Sequence, residues 1–138
     1  MITQGEALVL EYIGAWRAHD RARLGAVRHE ACVVVESDGT TYSSRDANLR
    51  WIDHWTSSGR AVEEWEIGSI IVSESAACAE WRFTCLCCGN RTSFRGAGVY
   101  RFADGKIVAV TEYRGVTEPN LAGSDSPQRK SGPRLNKP

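Results

Sequence analysis

Residues 94–114 read FRGAGVYRFADGKIVAVTEYR, two β-rich segments joined by a tight turn. Val99, Tyr100 and Phe102 supply β-branched and aromatic character before the turn, and Ile107, Val108 and Val110 supply it afterwards. Between them lies Ala103-Asp104-Gly105-Lys106, an Asp-Gly hairpin signal in which glycine takes the positive φ such turns need. The same period of two extends upstream. Val62–Ser73, Ala76–Cys88, Arg91–Phe102 and Lys106–Arg114 read as four long strands linked by short polar turns.

The N-terminal half has helical periodicity instead. Residues 5–19 fit an amphipathic helix in which Leu8, Tyr12 and Trp16 follow at i, i+4 spacing and Val9 and Ile13 widen the apolar stripe. Asp20 caps a second, short helix that turns Leu24 and Val27 inward. Cys32–Glu36 is a β-branched strand ended by Ser37-Asp38-Gly39, with Thr40–Tyr42 pairing back on it. Ser43-x-x-Asp46 is a loose capping box that opens a third helix, where Ala47, Trp51 and Trp55 share a face and Ser57-Ser58-Gly59 marks the end. Three helices followed by an antiparallel meander predict an α+β domain with helices covering one face of a curved sheet. Residues 1–116 form that domain. All four prolines fall at or beyond Pro119, and Thr117–Pro138 carries no apolar periodicity, so 117–138 is read as a flexible tail.

Composition narrows the function. The 138 residues are 42% hydrophobic and 25% charged, a globular balance for one domain. Lys+Arg and Asp+Glu number 17 each, so no basic field favours nucleic acid or an anionic membrane. The longest aliphatic run, Val33-Val34-Val35, is far too short to span a membrane. The N-terminus has acids on both sides of its apolar run and no basic n-region, unlike a signal peptide. Five cysteines without such a signal point to reduced thiols and a cytoplasmic protein. Cys85-x-Cys87-Cys88 lacks the paired Cys-x-x-Cys elements of structural zinc, and His19, His29 and His54 have no ligand spacing, so no metal is expected. His54 beside Asp53 reads either as an acid–base group at a cavity mouth or as exposed helix polarity. Phosphate loops and dinucleotide fingerprints are missing, so no cofactor is expected either.

The run aromatic-Arg-Phe-x-Asp-Gly-Lys-Ile-x, Tyr100 to Val108, resembles the last hairpin of SnoaL-like proteins. These belong to the nuclear transport factor 2-like superfamily, with the ketosteroid isomerases and limonene epoxide hydrolases. The resemblance implies a cone-shaped, cystatin-like roll: three N-terminal helices packed in a curved, mostly antiparallel sheet around an internal pocket. Aligned through Gly105-Lys106-Ile107, it turns Val110, Glu112 and Arg114 toward that pocket. Glu112 then sits in apolar surroundings, where desolvation raises a carboxyl pKa into a range useful for proton transfer. The matching position in the limonene epoxide hydrolases looks like the aspartate that activates water. Alternatively, Glu112 simply pairs with Arg114 or another arginine at the mouth.

Tyr12 falls where the ketosteroid isomerases carry their first-helix tyrosine, and Tyr-Ile-x-Ala-x-x-x-x-Asp covers the same helix and its end. The phenol is either an oxyanion donor or a core tyrosine. The departures are as informative. Gly98 occupies the position of the isomerases' second oxyanion acid, and their base position falls on Val35 or Glu36. The epoxide-hydrolase set needs an arginine and a second aspartate around Trp81–Cys85, yet Glu80 and Arg82 have the opposite parity from Trp81, Phe83 and Cys85. Neither named activity transfers.

Five tryptophans is high for this length. Trp16, Trp51, Trp55 and Trp81 fall on inward faces, and Trp65 is open; indoles here serve a core or line a pocket for a flat apolar ligand. The expected partner is a small hydrophobic or aromatic molecule. The expected function is cofactor-independent acid–base catalysis of the cyclase, isomerase, dehydratase or hydrolase class. Glu112 moves the proton, Tyr12 stabilises negative charge, and Arg114 orients the acid or a substrate carboxylate. The alternatives are a non-catalytic ligand-binding module and a dimeric interaction domain. A homodimer through the outer sheet face is expected, with Ile71, Val99, Ile107 and Thr111 between subunits.

Overall fold

The structure, a computed structural model, describes residues 1–117. Its elements are α1 (Gln4–Arg17), α2 (Arg21–Ala26), β1 (Arg28–Val35), β2 (Thr41–Tyr42), α3 (Arg45–Ser57), β3 (Arg60–Val72), β4 (Ala76–Cys87), β5 (Asn90–Ala103) and β6 (Lys106–Thr117). Local chemistry sets the helix starts. The Thr3 hydroxyl accepts from the Glu6 amide and the Asp20 carboxylate from the Arg23 amide, each at 3.1 Å. Ser44, not Ser43, caps α3, because it is the Ser44 Oγ that lies 3.1 Å from the Ala47 amide three residues on. Val9, Tyr12, Ile13, Ala15 and Trp16 form the buried face of α1.

The six strands make one sheet in the order β2-β1-β6-β5-β4-β3. All neighbours are antiparallel except β1 and β6, which run parallel. The sheet ends on β2 and β3 and is not closed. α1 packs against β3 and β4, and α3 against β1 and β3. The helices do not form one N-terminal block, since β1 and β2 intervene between α2 and α3. Ile13, Trp16, Leu24, Ile52, Trp65, Trp81, Tyr100 and Val110 belong to the core between the layers.

The sequence reading and the structure differ most at the start of β1, at the turn into β6 and at the end of β6. β1 starts at Arg28 rather than Cys32, because Arg28 pairs with Ile107 at the start of β6 and so joins the sheet before the apolar run begins. A bulge between Arg101/Phe102 and Ala109/Ile107 shifts the parity at the start of β6. Ile107 is therefore fully buried in the core and cannot lie on the outer face, whereas Ile71 is 75% exposed. Thr117 still belongs to β6, opposite Phe94. The rest of the proposed tail, 118–138, lies outside the described residues. No helix among the described residues is long and apolar enough to cross a membrane.

Candidate active site

A cavity of about 300 Å³ opens between the helical layer and the concave side of the sheet. Its walls are aromatic. Trp16 from α1 meets Trp51 and Trp55 from α3 edge-on, both at 5.3 Å between ring centroids. Tyr42 stacks flat on Trp51 at 4.7 Å, holding that indole from outside. On the sheet side Trp65, Trp81, Phe83 and Phe94 interlock, with Trp65 5.1 Å from Phe83 and Phe83 5.2 Å from Phe94. The strand register causes this, since Trp65 and Phe94 are the two cross-strand partners of Phe83. Such edge-to-face contacts rigidify a wall beyond what area burial alone provides.

Polar groups break the aromatic lining at a few points: Glu36 and Asp38 after β1, Arg60 on β3, and Glu112 and Arg114 on β6. Glu112 is the innermost in electrostatic terms. Burial pushes its carboxyl pKa up to about 7, the Glu36 carboxylate adds to the rise, and the Arg28 guanidinium opposes it. Glu36 is raised as well, by burial first and by Asp38 second, although the Tyr42 hydroxyl donates to its Oε1 at 3.3 Å. A carboxyl whose proton affinity is raised into the neutral range by burial and by a second carboxylate is suited to moving a proton near neutral pH.

Arg28, the cation that opposes the rise in Glu112, is completely buried behind the cavity's lining residues. Its Nε donates to Asn48 Oδ1 at 2.9 Å and its Nη1 to the Leu24 carbonyl at 2.6 Å. The guanidinium lies 4.8 Å from the centre of the Tyr12 ring. Asn48, also fully buried, holds the assembly in place: its Nδ2 is within reach of the carbonyls of Ser44 (2.7 Å), Cys32 and Tyr42 (both 3.2 Å). The Arg114 guanidinium stacks on Phe94 at 3.9 Å at the wall of the same cavity.

Sequence comparison gives this cavity its lineage. The family described as "SnoaL-like domain" matches residues 9–110, most of the chain. This chain is a SnoaL-like protein. A comparison with curated protein sequences gave no match. Among solved structures, an LEH-like epoxide hydrolase of M. tuberculosis superposes with a TM-score of 0.76 at 17% identity, covering 83% of this chain and 84% of that one. A protein with a ketosteroid isomerase-like fold from Catenulispora acidiphila, solved in complex with trimethylamine, gives 0.69 at 16% identity over 77% and 83% of the two chains. A Pseudomonas putida protein assigned as a polyketide cyclase gives 0.70 at 17% identity over 84% and 94%. At these identities the likeness establishes the fold.

In this SnoaL-like protein the cavity brings together Trp16, Glu36, Trp51, Trp55, Trp81, Phe83, Cys85, Glu112 and Arg114 of the residues the sequence singled out. Tyr12, Gly98 and Val110 are not among its lining residues. They lie in the packed layer behind it, where Tyr12 meets Tyr100 at 5.6 Å and Trp65 at 6.2 Å. Burial drives the Tyr12 and Tyr100 phenols upward, keeping both protonated. His54 is exposed and outside the cavity, and its neighbour Asp53 is bound to Arg21 at 2.7 Å.

The sequence reading missed Arg60, Asp38 and Phe94, and it left Trp65 open. Phe94 and Trp65 had a legible signal in the strand register opposite Phe83; Arg28 and Asn48 had none. Among the described residues, the Trp65 indole nitrogen and Arg28 Nη2 are buried without a hydrogen-bond partner, and the Tyr12 and Tyr100 hydroxyls sit beside the Trp16 and Trp81 indoles.

Proposed function

We propose that the protein is a cofactor-independent acid–base enzyme acting on a small hydrophobic or aromatic molecule, with Glu112 as the proton-transferring group. The observation that carries this reading is the Glu112 carboxyl in an aromatic-walled cavity with its pKa raised to about 7. A base poised near neutral pH combines a useful anionic fraction with real proton affinity. The carboxylate takes a proton from a carbon next to a carbonyl, or from a water, and returns it to a neighbouring position. Burial sets its proton affinity and the Glu36 carboxylate raises it further. The indoles exclude bulk water and hold a flat substrate against the sheet. Arg60 and Arg114, which line the same cavity, can meet an oxygen on which negative charge develops. Tyr12 supports Arg28 from behind rather than touching substrate. Small aromatic ketones in heavy water test this directly. The wild type is expected to incorporate deuterium next to the carbonyl, and Glu112→Gln is expected to stop it while ligand binding persists.

A second reading has one observation behind it. Tyr12 stands behind the cavity wall and Gly98 has no side chain, so the oxyanion donors of the ketosteroid isomerases have no counterpart at those positions. That arrangement suits a non-catalytic binder of the same class of ligand. Saturable binding without deuterium exchange, identical in wild type and Glu112→Gln, would favour it.

A further inference from the structure

β4 turns into β5 through Cys88-Gly89, between the paired residues Cys87 and Asn90. Both turn residues have positive φ, 57° at Cys88 and 83° at Gly89, the backbone of a two-residue primed hairpin. Cysteine is an uncommon choice there, since Gly, Asn and Asp accept this region more readily. The turn presents Cys88 to solvent with its Sγ 3.6 Å from Cys87 Sγ, and both thiols are free. Arg60 is the cross-strand partner of Cys87 on the neighbouring strand. The Cys88 thiol first and the Arg60 cation second lower the Cys87 pKa, which raises the share of the nucleophilic thiolate.

A direct sulfur–sulfur bond fits this pair poorly. Consecutive Cα atoms across a trans peptide lie about 3.8 Å apart, inside the lower limit of about 4.4 Å for ordinary disulfides. A single atom bonded to both sulfurs does not require them to close to bonding distance. Zinc would want four ligands, and no group of three candidate ligands is found among the described residues. Cys85, on the same strand, lines the cavity, and burial raises its thiol pKa. What remains is a two-sulfur chelate.

We propose that Cys87 and Cys88 form a bidentate dithiol site for a soft, thiophilic centre of the trivalent arsenical class. With an arylarsine oxide, two sulfur–arsenic bonds form and the arsenic–oxygen double bond breaks. The two thiol protons leave with that oxygen as water, and arsenic stays trivalent, so no oxidant or reductant is needed. The site adjoins the cavity through Arg60, which lines it.

Phenylarsine oxide, added to the full chain and followed by excess glutathione, tests the site by intact mass. A monothiol displaces arsenic held by one sulfur and leaves a chelate in place. The wild type should retain one phenylarsenic group per chain, and Cys85→Ser should retain it equally. Cys87→Ser and Cys88→Asn should lose at least ten-fold in retention; asparagine accepts the positive φ, so the turn survives the second change. The proposal is overturned if the wild type retains nothing, if either of those two variants retains as much as the wild type, or if Cys85→Ser abolishes retention.

Discussion

Gly98 faces Glu112 directly across the β5–β6 ladder, and the Tyr100 hydroxyl fills the space a side chain at Gly98 would need. A Cβ there would stand 2.6 Å from Tyr100 Oη and 2.7 Å from its Cζ. Tyr100 is fully buried against Tyr12 and cannot swing aside. A side chain at 98 and the present Tyr100 placement are mutually exclusive. Gly98→Ala should therefore destabilise the fold by about 2 kcal/mol through overpacking. Urea denaturation reads this as a lower midpoint at unchanged slope. Tyr100→Phe in the same chain removes the nearest contact and should recover part of the loss; no recovery would mean that the strain lies in the strand rather than in the ring.

Glu112 gives stability a definite dependence on pH. Its folded pKa of about 7 lies above the ordinary 4.5, so the native state holds the proton more tightly than the unfolded chain does. The contribution is fully present below 4.5 and is lost as pH rises through 7. A gap of this size corresponds to about 3 kcal/mol. Glu112→Gln should flatten the fall in urea midpoint between acid and mildly alkaline pH while preserving the fold. Parallel curves for wild type and variant would remove Glu112 from that role.

Glu36 acts on Glu112 by charge. Removing its carboxylate in Glu36→Gln takes away one of the two causes of the rise in Glu112, so that pKa should move down while staying above 4.5, because burial remains. Carbon-13 NMR of labelled glutamate carboxyls follows the titration, and the acid limb of any turnover profile should shift with it. An unmoved titration would show the two carboxyls to be electrostatically separate.

The legible parts of this protein were those in which side-chain period equals structure. Strands β3 to β6 alternate over long runs, and Asp104-Gly105 marks their last turn, so the antiparallel half could be read to within two or three residues at either end. Glu112 was legible because its parity holds from Val110 onward. Ile107 was misread because the bulge changes parity just after the turn, and nothing in the composition of Lys106-Ile107-Val108 signals it. Tyr12 shares the buried face of α1 with Trp16, but periodicity gives a face and not a depth: Trp16 reaches the cavity and Tyr12 does not. Arg28 was invisible for a different reason. Arginine ahead of a strand ordinarily means solvent, and its burial is fixed by Asn48, twenty residues away.

That long-range pair makes the sharpest demand on the structure. Arg28→Met removes the donors to Asn48 Oδ1 and the Leu24 carbonyl and leaves both acceptors buried without them. The cost should be about 3 kcal/mol, in the range for breaking a buried polar network. It should also raise the Glu112 pKa above about 7, because the guanidinium is the charge that favours the carboxylate. Arg28→Lys separates the two effects. A lysine keeps the cation but lacks the planar fork that spans Asn48 and Leu24. It should hold the Glu112 titration closer to wild type than methionine does, with most of the stability still lost. If lysine and methionine raise the Glu112 titration equally, Arg28 supports the site by packing and hydrogen bonding, and its charge has no part in setting the proton affinity of Glu112.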